Sequence, residues 1–210
     1  MTTLNHQQQA QVVSIQRAAA TLATIDLTAR CAALGLPLSS GADAPVILLR
    51  AFGQDLRITP PDFAASRADG KPVRLTDHLL AVHYLLCALP LTPTGQMITF
   101  RDLPGGQFYF GPFCSRTTKP LIERIGNNLD LLRNNLNRFD HAFDPEAGGT
   151  PALRPVRIHA VGRIEITLQY HVGDEEGPPT ADILFDACIK RVYGAEDVAA
   201  LASRICIGLL

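Results

Sequence analysis

The chain has 210 residues, 47% of them hydrophobic and 19% charged, with a net charge of −1. That is enough chain and enough apolar surface for one folded domain, which excludes a disordered segment. A near-neutral balance gives no electrostatic reason to expect nucleic acid, which attracts clearly cationic surfaces. No apolar run reaches the roughly 18 residues that cross a bilayer. The polar start, "MTTLNHQQQAQ", lacks the basic and apolar stretches of a secretory signal, so a cytoplasmic location is expected.

In chain order, Val12, Ile15, Ala19, Leu22 and Ile25 recur at three- and four-residue steps, the stripe of an amphipathic helix. Leu27, Cys31 and Leu34 continue it after a phase shift, as one helix or as two broken near Thr24. Gly35 suits a left-handed C-terminal position, and Pro37 prevents continuation. "APVILLRAF" and "QDLRIT" read as two strands joined at Gly53-Gln54, the first apolar throughout and the second alternating. "SRADGKPV" reads as a surface loop, and "LTDHLLAVHYLLCALP" as a buried helix opened by Thr76 or Asp77.

"GQMITF" is expected to be a strand leading to the Pro104-Gly105-Gly106 turn, with "QFYF" behind it as another. Two helices follow. "TTKPLIERIG" has Pro120 in its first turn and Gly126 past its last, and "NNLDLLRNNLNRF" has Asn127 or Asn128 as cap. In the second, Leu129, Leu132, Leu136 and Phe139 form a narrow apolar face, with asparagines and arginines toward water. The Gly- and Pro-rich segment 140–155 is the best internal boundary. "VRIHAV" and "RIEITLQYHV" form a hairpin across Val161-Gly162, "DILFDACIKRVY" is the last strand, and "AEDVAALASRICIGLL" is a C-terminal helix. The sum is an α+β fold, with a helical segment over 1–40 and one α+β domain over 41–210. Its mainly antiparallel sheet has about six strands.

Phe108, Tyr109 and Phe110 behind the turn form either sheet core or a flat wall for a planar ligand. Phosphate-loop chemistry is disfavoured, because a strand and not a helix is expected after the glycines, and the Lys-Ser/Thr of such loops is missing. Arg116, close to the next helix start, is a candidate anion contact. His83, set among apolar residues in "AVHYLLCA", and Asp186, a carboxylate inside "ILFDACI", are candidate polar anchors. Arg101-Asp102 is a candidate source of the partner that Asp186 needs. The five cysteines lie far apart and His78 and His83 miss the four-residue spacing of a helical ligand pair, so no metal site is expected from spacing alone.

"FGQDLRI", "LLAVHYLL", "ITFRDLPGG", and "ILFDA" before "AEDVAALA" together resemble a prokaryotic family of domains of unknown function, common in anaerobic bacteria and archaea. The resemblance spans about residues 45 to 205. Some of its members carry an added iron–sulfur module, which implies work near redox or corrinoid metabolism; this chain has no clustered cysteines to mark such a module. The family implies no catalytic residues.

Three functions are therefore expected in order. The first is a binding protein for a planar, tetrapyrrole-like ligand, walled by Phe108, Tyr109 and Phe110 with Arg116, His83 and Asp186 as polar contacts. The second is an interaction module that forms a homodimer or holds a partner redox enzyme. The third is an enzyme using His83 and Asp186 as an acid–base pair.

Overall fold

A computed structural model describes residues 5–40, 44–144 and 154–210. The helical stripe near the N-terminus resolves into two helices, α1 (His6–Leu22) and α2 (Leu27–Leu34). Asn5 and Gln8 form a reciprocal capping box at the start of α1, and Asp26 caps α2 through the amide of Ala29. Asp26 accounts for the break near Thr24, since a side-chain cap restarts the helix in a new phase. Gly35 closes α2 in the left-handed region at φ 68°.

The strands are β1 (Leu38–Ser40), β2 (Pro45–Ala51), β3 (Gln54–Thr59), β4 (Ala64–Arg67), β5 (Met97–Thr99), β6 (His141–Phe143), β7 (Val156–Val161), β8 (Ile164–His171) and β9 (Thr180–Asp186). They form one nine-stranded sheet in the order β4-β3-β2-β7-β8-β9-β5, with β1 on β2 and β6 on β7, and every pair is antiparallel. The fold is thus α+β with a mainly antiparallel sheet, and it has more strands than the six expected. The extra ones are short: β1, β5 and β6 have three residues each. Ser66 and Arg67 of the expected "SRADGKPV" loop belong to β4, and the expected long last strand stops at Asp186, giving way to a 3₁₀ turn over 187–191.

Two half-sheets meet at a narrow seam. β2 and β7 pair only at Ala51–Val161, supported by Phe52 N–H to the Ala160 carbonyl and Gly162 N–H to the Arg50 carbonyl. A two-pronged ion pair from Arg50 to Asp140, at 2.6 and 2.8 Å, ties β2 to the start of β6 beside that seam. Along β8 buried positions alternate with more open ones, so one sheet face carries the core.

The remaining helices are α3 (Leu75–Leu85), α4 (Gly106–Arg116), α5 (Thr118–Ile125), α6 (Leu129–Leu136) and α7 (Ala195–Gly208). α3 touches β2, β7, α1 and α7, the central position its apolar circumference predicts. Tyr84 fixes its height: the phenol is fully buried, accepts the Arg163 amide at 3.1 Å, and fills the space over Gly162, where a Cβ would stand 2.2 Å from the ring. Asp77 is neither an opening cap nor exposed. Arg74 occupies the cap position, and the Asp77 carboxylate is fully buried against Arg204 at 2.9 Å. In α6, Asn128 is the cap as expected, but Asn135 turns inward and donates to the Leu209 carbonyl at 2.9 Å. The expected boundary over 140–155 falls partly outside the described residues.

Candidate functional site

The stretch after the glycines is a helix and not a strand. Thr99 and Asp102 cap a 3₁₀ turn over Phe100–Asp102, and α4 begins at Gly106. Gly105 takes φ 77°, and a Cβ on Gly106 would lie 1.9 Å from the Phe100 carbonyl oxygen, so both positions require glycine. With a helix following, the turn resembles a phosphate loop more than the sequence suggests. Yet the Gly106 amide is bonded to the Leu103 carbonyl and the Phe108 amide to Gly105, which removes two of the donors such a loop would offer.

A helical turn also separates the rings differently from an extended chain. Phe113 is buried and stacks on Phe100 with centroids 4.1 Å apart, while Phe110 lies half-buried beside it at 6.2 Å. Arg101 covers Phe110 with its guanidinium 3.9 Å from the ring centre, rather than serving Asp186. Phe108 and Tyr109 point outward, 89% and 63% exposed. Gln107, Gly111, Pro112, Ser115 and Arg116 are exposed with them, so the outer side of α4 is open along its length. Pro112 lies inside α4 and has no N–H to give to the Phe108 carbonyl. Among the described residues no carboxylate lies within ion-pair distance of Arg101, Arg116 or Lys119.

His83 is bonded at both ring nitrogens. Nδ1 meets Asp197 Oδ2 at 2.7 Å, and Nε2 meets Ser14 Oγ at 3.0 Å. The three side chains come from α3, α7 and α1, and Gln11 donates to Thr76 Oγ1 at 3.2 Å one turn along the same helix contact. Neither Ser14 nor Asp197 stands out in the sequence, since each is one polar residue on an amphipathic helix.

Asp186 is held elsewhere, by backbone. Its carboxylate accepts from the amides of Thr94, Gly95 and Cys188 and from the Thr94 hydroxyl, all between 2.7 and 3.0 Å. Burial acts to raise its pKa, but the amides of Thr94 and Cys188 outweigh it and hold the carboxyl well below the usual carboxylate range. Asp186 is thus the cap of the 187–191 turn and the anchor of the loop before β5. His83 and Asp186 do not pair: each has its hydrogen-bonding atoms engaged by other groups. The six residues expected to share one site therefore lie apart, with Phe108, Tyr109 and Arg116 on the outer side of α4, His83 at the helix junction, and Asp186 at the β9 end. Phe110 belongs to the stack beneath α4.

A narrow cavity of about 20 Å³, room for a single water, lies between α6 and the β7–β8 surface, lined by Leu132, Leu136, Val156 and Tyr170 among others. Among the described residues no group of three or more His, Cys, Asp or Glu side chains is placed to hold a metal, and no helix is long and apolar enough to cross a membrane.

An antiparallel sheet backed by helices, with an aromatic helix face that also bears Arg116 left open, defines an α+β domain and not yet a chemistry. The chain belongs to the family described as Domain of unknown function (DUF3786), which matches residues 26–207 and so takes in everything from α2 to nearly the end of α7. No curated protein and no solved structure matches the chain.

Proposed function

We propose that the protein is an interaction module that holds an acidic partner protein on the outer side of α4. The observation that carries this reading is the exposure of Phe108 at 89% beside Tyr109 at 63% on one short helix. Large aromatic side chains are the commonest anchors of protein interfaces, and leaving two adjacent ones in water is unfavourable unless something covers them.

The shape of the surface selects the kind of partner. Small ligands bind where concave walls bury most of their area, and an outward helix face offers none. A planar tetrapyrrole-like molecule laid on Phe108 would keep one whole face in water. A second protein can supply the other wall. Charge selects further: between residues 101 and 125 the chain carries Arg101, Arg116, Lys119 and Arg124 against Asp102 and Glu123. That local excess of cations favours an acidic partner and works against a second copy of the same surface. A redox or corrinoid setting for the partner follows only from the family resemblance.

Incorporating a photocrosslinking phenylalanine at position 109 in producing cells tests the reading. The expected result is one dominant adduct with an identifiable protein. Its purified form should bind the wild-type chain, and binding should weaken at least roughly tenfold with Phe108→Ala or Arg116→Glu while both variants melt as the wild type does. Adducts with a second copy of the chain alone would replace the partner by a dimer. Binding indifferent to both substitutions would end the proposal.

A further inference from the structure

We propose that Ser14, His83 and Asp197 form an acyl-transfer site, with Ser14 as nucleophile, His83 as its base and Asp197 as the residue that positions the imidazole. Nucleophile to base is 3.0 Å and base to carboxylate 2.7 Å, both within the range for proton transfer between positioned groups. The assignment stands apart from the docking surface on α4 and shares no residue with it.

The elements that bring the groups together also favour the charges the reaction creates. His83 lies in the last turn of α3, whose carbonyl end attracts a cation, and Asp197 in the first turn of α7, whose amide end attracts an anion. The ring that takes the serine proton thus faces the Asp197 carboxylate at 2.7 Å. The cluster also meets solvent, with the His83 and Asp197 side chains 22% and 18% exposed, so a small substrate can reach it. Ser14 sits inside a helix, which rules out its own amide as a donor to a developing oxyanion. Gln11 lies one turn earlier on the same face, and its side-chain amide gives one hydrogen to Thr76 and retains a second.

The substrate class is a small activated acyl compound, an ester or a thioester. Ser14 Oγ bonds to the acyl carbon as the bond to the leaving alcohol or thiol breaks. The serine proton passes to His83 Nε2 and then to the leaving group. Water enters by the same route in reverse, leaving a free acid and the original serine. No oxidant or reductant is involved. The family model matches residues 26–207, so the base and its carboxylate lie within the matched span and the nucleophile before it.

Treating the purified full chain with a fluorophosphonate probe and mapping the adduct by mass spectrometry decides the matter. Ser14 should be phosphonylated and the other serines spared. Asp197→Asn should slow labelling by about 100-fold or more, and His83→Gln should abolish it. p-Nitrophenyl acetate should be hydrolysed with the same ranking. Unlabelled Ser14 in folded wild-type protein under excess probe overturns the proposal, whatever the variants do. So does labelling of a folded Asp197→Asn or His83→Gln protein at the wild-type rate, which would leave only a polar contact between helices.

Discussion

α3 and α4 have the same length, eleven residues, and opposite fates. α3 buries seven side chains, Asp77 among them, and α4 buries only Gly106 and Phe113. Both are rich in apolar residues, so composition does not decide which helix becomes core. Position does. α3 spans the β2–β7 seam with α1 and α7 against it, whereas α4 touches its preceding turn, α5 and α7 and leaves its outer side uncovered. Tyr84 on α3 is a fully buried packing element, whereas Phe108 on α4 stands 89% exposed.

Breaking that contrast at α3 should have the largest effect. Asp77→Ala strands the Arg204 guanidinium, itself only 14% exposed, with no carboxylate. Removing one member of a buried ion pair costs about 3–5 kcal/mol, readable as a fall in the urea midpoint. Within α4 the contrast sharpens to a difference between two phenylalanines. Phe113→Ala removes the ring stacked on Phe100 and should cost about 3 kcal/mol, the low end for a buried aromatic. Phe108→Ala should stay within about 0.5 kcal/mol in the isolated chain. Equal losses for the two would mean that the outer ring packs on its own domain and that α4 has no free face.

Local chemistry made part of this legible. Gly35 followed by Pro37, Asn128 before an apolar run, and Gly162 between two alternating strands each carry their geometry in one or two residues, and each adopts it. "QFYF" misleads because aromatic runs favour strands when nothing else is known, and because Gly111-Pro112 reads as a break in a helix. What makes it helical is Phe113 seated on Phe100 and Gly106 pressed against the Phe100 carbonyl, contacts made only after the chain has turned. The polar junction is harder still. Ser14 and Asp197 are 69 and 114 residues from His83, and no spacing rule joins them. Asp186 could be recognised as unusual but not as a cap, since its partners Thr94 and Gly95 are about 90 residues earlier.

Those partners make the connection between α3 and α4 a third test. Asp186 holds the Thr94–Gly95 loop through which the chain passes from the buried helix to the exposed one. Its folded pKa lies below the unfolded value, so its stabilisation is present above about pH 4 and is lost as pH falls through the folded value. Asp186→Asn should therefore cost about 1–2 kcal/mol at pH 7, a range that allows for partial solvent access. The difference from wild type should shrink in acid. A gap in urea midpoint that is constant from pH 7 to pH 3 would show that the charge on Asp186 contributes nothing and that shape alone anchors the loop.

The smallest effect is chemical rather than energetic, and it compares a thiol on α4 with one just past α3. Cys87 follows α3 and is buried, as are Cys31, Cys188 and Cys206; Cys114, on α4, is only half-buried. Burial raises the pKa of Cys31 and Cys87, pushes Cys206 up to about 12, and joins with the Asp186 carboxylate to push Cys188 up to about 12. Thiol–disulfide exchange needs both a thiolate and access, and those four lack both at neutral pH. Ellman's reagent should thus titrate Cys114 alone in the folded protein, the other four thiols appearing only on denaturation. Cys114→Ser should abolish the fast phase with little change in stability. If Cys87 reacts alongside Cys114, the end of α3 opens to solvent on the timescale of the assay, and the line between a sealed helix and an open one has to be drawn further along the chain.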